Sequence, residues 1–158
     1  MKRILGILFA LVAVAALSAP CYASDDSATV AECVAKTKEA AEMILQDKDA
    51  ALAEIANKNG RFVWKDSYVF AMDLTGKMLA HPMMPGLTKM DTLLSTPDKN
   101  LTHPKLLFSE FVTLAGTKGD GWVDYMWPKP GETEPSKKET YIYRVPGTSI
   151  FVGAGIYR

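Results

Sequence analysis

Gly119-Asp-Gly-Trp-Val-Asp-Tyr-Met-Trp-Pro-Lys-Pro-Gly131, then Lys138-Glu-Thr-Tyr-Ile-Tyr143, then Phe151-Val-Gly-Ala-Gly-Ile-Tyr157: these aromatic-rich runs decide the fold. Residues 122–127 and 138–145 read as one hairpin, closed by Pro128-Lys-Pro-Gly131 and a charged tip. Pro146-Gly147 turns the chain into a further strand at 150–157. All three strands are apolar on nearly both faces, so the sheet must be covered on both sides. Upstream, residues 68–72 and 77–81 flank Asp73-Leu-Thr-Gly76. Asp bonds its own backbone there and Gly supplies positive φ, which predicts a hairpin turn. Pro82 ends the return strand by removing an amide donor. The fold class expected is α+β, with a five-stranded antiparallel sheet.

Two elements are placed to cover that sheet. From Val30, the apolar positions Val34, Ala41, Ile44 and Leu45 form a helical stripe with Ala31, Ala35 and Ala40 between them. A second helical run, 50–56, follows the polar break Gln46-Asp47-Lys48-Asp49, and Asn59-Gly60 stops it. This long N-terminal helical segment is amphipathic without being basic, which favours core packing over membrane binding. Residues 82–103 are irregular and longer than a plain connection needs, so they read as a functional cap. Leu106, Leu107, Phe111, Leu114 and Ala115 then define a helix, with Thr102 or His103 as cap and Pro104 in its first turn. A pocket is expected between the sheet and residues 82–116.

The N-terminus reads as an export signal. Lys2 and Arg3 precede an apolar run at 4–19, shorter than the ~20 residues that span a bilayer. Cys21-Tyr-Ala23 offers a cleavage site. The expected division is 1–23 as signal peptide and 24–158 as one domain, periplasmic or secreted. An uncleaved N-terminal anchor is the alternative, and a lipoprotein at Cys21 is disfavoured by Pro20. Eighteen basic residues balance eighteen acidic ones, and loss of Lys2 and Arg3 leaves a slight acidic excess. Nothing in that balance points to nucleic acid. No later apolar run reaches membrane length. Cys33 is left as a single cysteine, which reads as a buried helical thiol or as half of an intermolecular disulfide.

No catalytic pattern stands out: there is no nucleophile elbow, phosphate loop or His-Glu-x-x-His helix. His81 and His103 both precede proline and have no evident carboxylate beside them. No enzyme activity and no cofactor is expected. His81-Pro-Met-Met84 brings imidazole and thioether together, so a metal- or haem-binding redox protein stays open as a lesser alternative. The stronger signal is aromatic. Trp122, Tyr125, Trp127, Tyr141, Tyr143, Phe151 and Tyr157 lie on neighbouring predicted strands. They serve either as sheet core or as the walls of a small-ligand pocket. Lys138 reads either as a solvated turn residue or as a point charge for a carboxylate. Asp124 is placed opposite Arg144 or Tyr143, depending on hairpin register, and in an apolar strand it needs a partner.

Four ordered blocks add a resemblance. They are Tyr68-Val-Phe-Ala-Met-Asp-Leu-Thr-Gly-Lys-Met-Leu-Ala-His-Pro82, Gly121-Trp-Val-Asp-Tyr-Met-Trp-Pro128, Lys138 followed by Tyr141, and Val152-Gly-Ala-Gly-Ile-Tyr157. From about residue 57 to residue 157 the chain resembles the single Cache domains of bacterial sensors, extracellular relatives of the PAS fold. The resemblance implies a long N-terminal helix on one face of a PAS-like sheet and a helix/loop cap on the other. It implies a pocket for small organic molecules, notably short carboxylates, and signalling to a membrane receptor or kinase. The chain departs from the usual pattern at Ser95-Thr-Pro-Asp-Lys-Asn100, and it runs only one residue past the last strand, so a stand-alone exported form is expected.

The expected function is therefore an exported, sensor-type domain that binds a small organic anion. The expected site is Phe70, Tyr125, Trp127 and Tyr141 as walls, Lys138 as counter-charge and His81 or the tyrosine hydroxyls as orienting groups. The main alternative is a structural or interaction module without a ligand.

Overall fold

The computed structural model describes residues 26–158. The expected signal peptide, its cleavage after Ala23 and Cys21 lie outside the described residues. The element order is α1 (Val30–Gln46), α2 (Lys48–Ala56), β1 (Val63–Trp64), β2 (Ser67–Asp73), β3 (Met78–Ala80), a 3-10 turn (Pro85–Lys89), α3 (Leu107–Thr117), β4 (Asp120–Pro128), β5 (Pro135–Arg144) and β6 (Ile150–Tyr157). The five expected strands are present, and the two-residue β1 joins them. The sheet is antiparallel and runs β1-β2-β6-β5-β4, with β3 also paired to β2.

Local chemistry fixes the helix starts. Thr29 and Glu32 form a reciprocal capping box at α1. Asp47 caps α2 through the Ala50 amide at 3.0 Å, so the second helix begins two residues earlier than its apolar pattern suggested. α3 differs from expectation. It starts at Leu107 with no side-chain cap. The Thr102 and His103 amides instead donate to Asn100 Oδ1, which turns the chain before the helix can begin.

Period-two alternation splits the sheet into two layers. One face carries Val69, Ala71, Val152, Ala154 and Ile156 against Cys33, Ala40, Ala41 and Ile44 of α1 and Ala51 and Ile55 of α2. Small residues on α1 let the helix lie close to the sheet. Val30 and Leu45, expected in the buried stripe, are exposed; Cys33 and Thr37 take their places. The opposite face carries Tyr68, Phe70, Met72, Val123, Tyr125, Trp127, Ile142 and Phe151, covered by Leu107, Phe108, Phe111 and Ala115 of α3.

Two glycines shape this second face. A Cβ on Gly153 would lie 2.6 Å from the Phe70 ring, and one on Gly155 would lie 2.8 Å from Lys138 Cε. Their bareness lets Phe70 and Lys138 lie flat across β6. The cap is fastened at both sides. The Leu93 amide donates to the Gly76 carbonyl at 2.9 Å. Asp98, buried, accepts from the amides of Asn100, Lys105 and Met126 at 3.3, 3.1 and 3.0 Å.

Candidate functional site

Beneath α3 the second face closes around a small cavity lined by Tyr68, Phe70, Met78, His81, Leu107, Phe108, Phe111, Tyr125 and Trp127. Four of the six expected site residues line it: Phe70, His81, Tyr125 and Trp127. β2 delivers Tyr68 and Phe70 two residues apart, and β4 delivers Tyr125 and Trp127 in the same way. The rings interlock edge to face. Phe111 meets Tyr125 at 5.5 Å and 77°, and Phe108 meets Trp127 at 6.0 Å and 89°. They leave room for about one water molecule, about 10 Å3. The pocket expected between the sheet and residues 82–116 is therefore tightly closed.

Lys138 stands behind Tyr68 rather than on the cavity wall. It faces Tyr125 across β4–β5 and Tyr157 across β5–β6. Only 1% of its surface is exposed. Nζ donates to the Tyr157 hydroxyl at 3.1 Å, and that hydroxyl donates to the Pro128 carbonyl at 2.7 Å. Nζ also sits 4.0 Å from the Tyr68 ring centre and 4.6 Å from that of Tyr157. Among the described residues no carboxylate lies within 4.0 Å of it. Burial pulls the ammonium down from its ordinary 10.5 to about 7, against weaker support from Cys33 and Asp66.

His81 is buried beside Tyr68, with ring centres 4.9 Å apart. Burial, helped by the nearby Lys138 charge, lowers it to about 3. Its Nδ1 accepts the Met84 amide at 2.9 Å. A neutral imidazole that accepts at Nδ1 carries its proton on Nε2, so His81 is a fixed donor at neutral pH. Tyr125 holds Thr140 at 2.8 Å, and burial raises its phenol well above the ordinary value. Burial also raises Tyr68 and Tyr157, so all three phenols stay protonated. The set is thus a buried cation, a fixed N–H donor and phenol hydroxyls inside an aromatic shell. Such a set can neutralise and orient one small anion.

Tyr141 does not belong to this set. It lies on the other face of β5, meets the Trp122 ring at 5.4 Å and a 45° tilt, and donates to Asp120 at 2.8 Å. The reason is strand parity: Tyr141 is three residues from Lys138, and alternation puts the two side chains on opposite faces of β5. The hairpin turn is confined to residues 129–134, so Asp124 opposes Glu139 and Lys138 opposes Tyr125. Neither expected partner of Asp124 is correct. Its carboxylate is solvated and reaches Lys105 at 3.5 Å. Arg144 instead donates to the Thr148 carbonyl. Sequence reasoning also missed Tyr68 and Phe108 as walls. Tyr68 was legible, because it shares a strand face with Phe70. Cys33 is a buried thiol, raised by burial to about 11. The described residues hold no group of three or more His, Cys, Asp or Glu side chains placed for a metal ion.

An antiparallel sheet with a helical back and a fastened, aromatic-lined cap is the architecture of an extracytoplasmic sensor domain. The chain belongs to the Cache domain family: residues 31–158 match its dCache_2 member. It is similar to the methyl-accepting chemotaxis protein McpP of Pseudomonas putida, 37% identical over 93 residues, 58% of this chain. The match spans only 16% of that relative's length. Among solved structures it resembles a periplasmic sensor domain of a chemotaxis protein (30% identity, TM-score 0.62, 78% of this chain and 86% of that one). It also resembles a Cache chemosensory domain described as recognising carboxylic acid (29%, 0.62, 78% and 84%). A methyl-accepting chemotaxis protein of Vibrio parahaemolyticus is similar as well (26%, 0.65, 80% and 86%). The family is one of sensory ligand-binding domains rather than of enzymes. Among the described residues no helix is long and apolar enough to cross a membrane.

Proposed function

We propose that this Cache domain is exported to the periplasm and binds a short carboxylate beneath its α3 cap, serving a membrane receptor or kinase. Lys138 supplies the counter-charge, the His81 Nε2 proton orients the carboxylate, and Phe70, Tyr125 and Trp127 enclose its carbon chain. The observation that carries this reading is the buried Lys138 amino group, which has no carboxylate partner among the described residues. A charge so placed is unfavourable unless something anionic joins it. The carboxylic acid recognition described for a similar Cache domain supports the ligand class. Because the cavity holds about one water, binding requires the cap to part and re-close.

The test is a thermal-shift screen with acetate, propionate, pyruvate, lactate and single amino acids. A ligand at a hundred times its Kd stabilises by ~2.7 kcal/mol, so a hit is visible. If no carboxylate shifts the transition, the reading falls. The tight interlock of the rings favours a second reading, an interaction module whose aromatics are plain core. That reading predicts no hit of any kind.

A further inference from the structure

Groups from several elements enclose the Lys138 amino group behind the cavity wall. Tyr68 of β2 and Tyr157 of β6 face its Nζ, and Tyr125 of β4 is its cross-strand neighbour. His81 beyond β3, Cys33 of α1 and Asp66 of the β1–β2 turn act on it through space. None of these forms an ion pair with it. The one hydrogen bond drawn from Nζ ends on a phenol whose own proton is committed to Pro128, and an uncharged amine fits that geometry as well as an ammonium does. A closed apolar shell favours the amine, and an arriving carboxylate favours the ammonium.

We propose that Lys138 makes this site proton-coupled: its neutral amine, buried behind Tyr68 while the cap is closed, takes one proton from solvent as a carboxylate binds, so anion and proton load together. The step balances as R-NH2 plus H+ plus R′-COO− giving an R-NH3+ and −OOC-R′ pair, with no bond to carbon changed. The domain then reads the product of carboxylate and proton concentrations, and it responds more strongly in acid surroundings. The inference rests on the carboxylate reading above.

Two measurements on the whole domain test it. In the first, 13Cε-lysine NMR follows Lys138, assigned by loss of its signal in Lys138→Met. Without carboxylate its midpoint should lie near neutral pH, and saturating propionate should raise it by two pH units or more. A midpoint above 9 without propionate overturns the proposal. In the second, calorimetry with acetate, propionate and pyruvate at pH 8.5 compares phosphate with Tris buffer. Close to one proton should be taken up per carboxylate, falling toward none at pH 5.5. The Kd should rise tenfold per pH unit from about 7 up to the loaded site's midpoint. Binding without uptake at pH 8.5 overturns the coupling but leaves the carboxylate reading standing. Uptake that survives in Lys138→Met moves the proton to His81 and also overturns it. No binding by any of the three removes both.

Discussion

Replacing Lys138 with methionine should make the domain more stable while removing its ligand response. Methionine is unbranched and of similar length, so it can follow the same channel beside Gly155. Holding Lys138 near 7 rather than 10.5 means that the fold opposes its charge by roughly 5 kcal/mol. At pH 7 the unfolded chain carries this proton and the folded chain carries about half of one, so the penalty present is about 4 kcal/mol. Losing the hydrogen bond to Tyr157 returns about 1 kcal/mol of that. A net gain of about 2–3 kcal/mol remains, a rise in Tm of about 5–10 °C for a domain of this size. The sign carries a pH signature. The lysine is depressed in the fold, so wild-type stability should rise with pH above 7, by roughly 1–2 kcal/mol between pH 7 and 8.5. Lys138→Met should lack that slope. His81 acts below this window and Cys33 above it, so the window isolates Lys138. Urea denaturation at several pH values is the assay. A Lys138→Met protein less stable than wild type at pH 7, or a flat wild-type profile from 7 to 8.5, would refute the reasoning.

His81 should show no protonation by NMR above pH 4, and its contribution should make the fold weaken as pH falls from 6.5 toward 3. A midpoint near 6 contradicts the assigned Nε2 proton. Gly155→Ala should cost about 2–4 kcal/mol in urea denaturation, because its Cβ would lie 2.7 Å from the Glu139 carbonyl oxygen in a sheet that cannot yield; a cost below 1 kcal/mol would show that the sheet relaxes. Asp98→Ala should cost about 2–4 kcal/mol by stranding the Lys105 and Met126 amides. It should speed hydrogen exchange in residues 93–106 before the sheet; uniform acceleration would deny Asp98 its role as cap fastener. Tyr141→Phe should leave carboxylate affinity unchanged in the thermal-shift assay, and a tenfold loss would return Tyr141 to the site.

Strand positions were legible because Gly, Pro and Asp punctuate them, as at Asp73-Leu-Thr-Gly76 and Pro146-Gly147. Layering was legible because strands apolar on both faces need two covers. That Phe70, His81, Tyr125 and Trp127 lie side by side was legible because aromatic and imidazole groups cluster on few strands. Tyr141 failed for a different reason. Lys138 and Tyr141 are three residues apart and so point to opposite faces of one strand, whereas aromatic clustering alone draws them together; the 129–134 turn sets only which residue of β4 each one meets. The α1 stripe drifted for a related reason: alanines nearly surround the helix, so Cys33 and Thr37 fit the close sheet contact better than Val30 or Leu45. Tightness of the cavity was not legible at all, since it depends on how Phe108 and Phe111 interlock with β4.

The most direct measurement is a crystal structure of the domain grown with its best-stabilising carboxylate. The account predicts density for the carboxylate under α3, with oxygens within hydrogen-bonding distance of His81 Nε2 and Lys138 Nζ and the cap displaced outward from Phe108 and Phe111. Density for the carboxylate at any other surface, with those rings still interlocked and Lys138 still bound to Tyr157 alone, would contradict it.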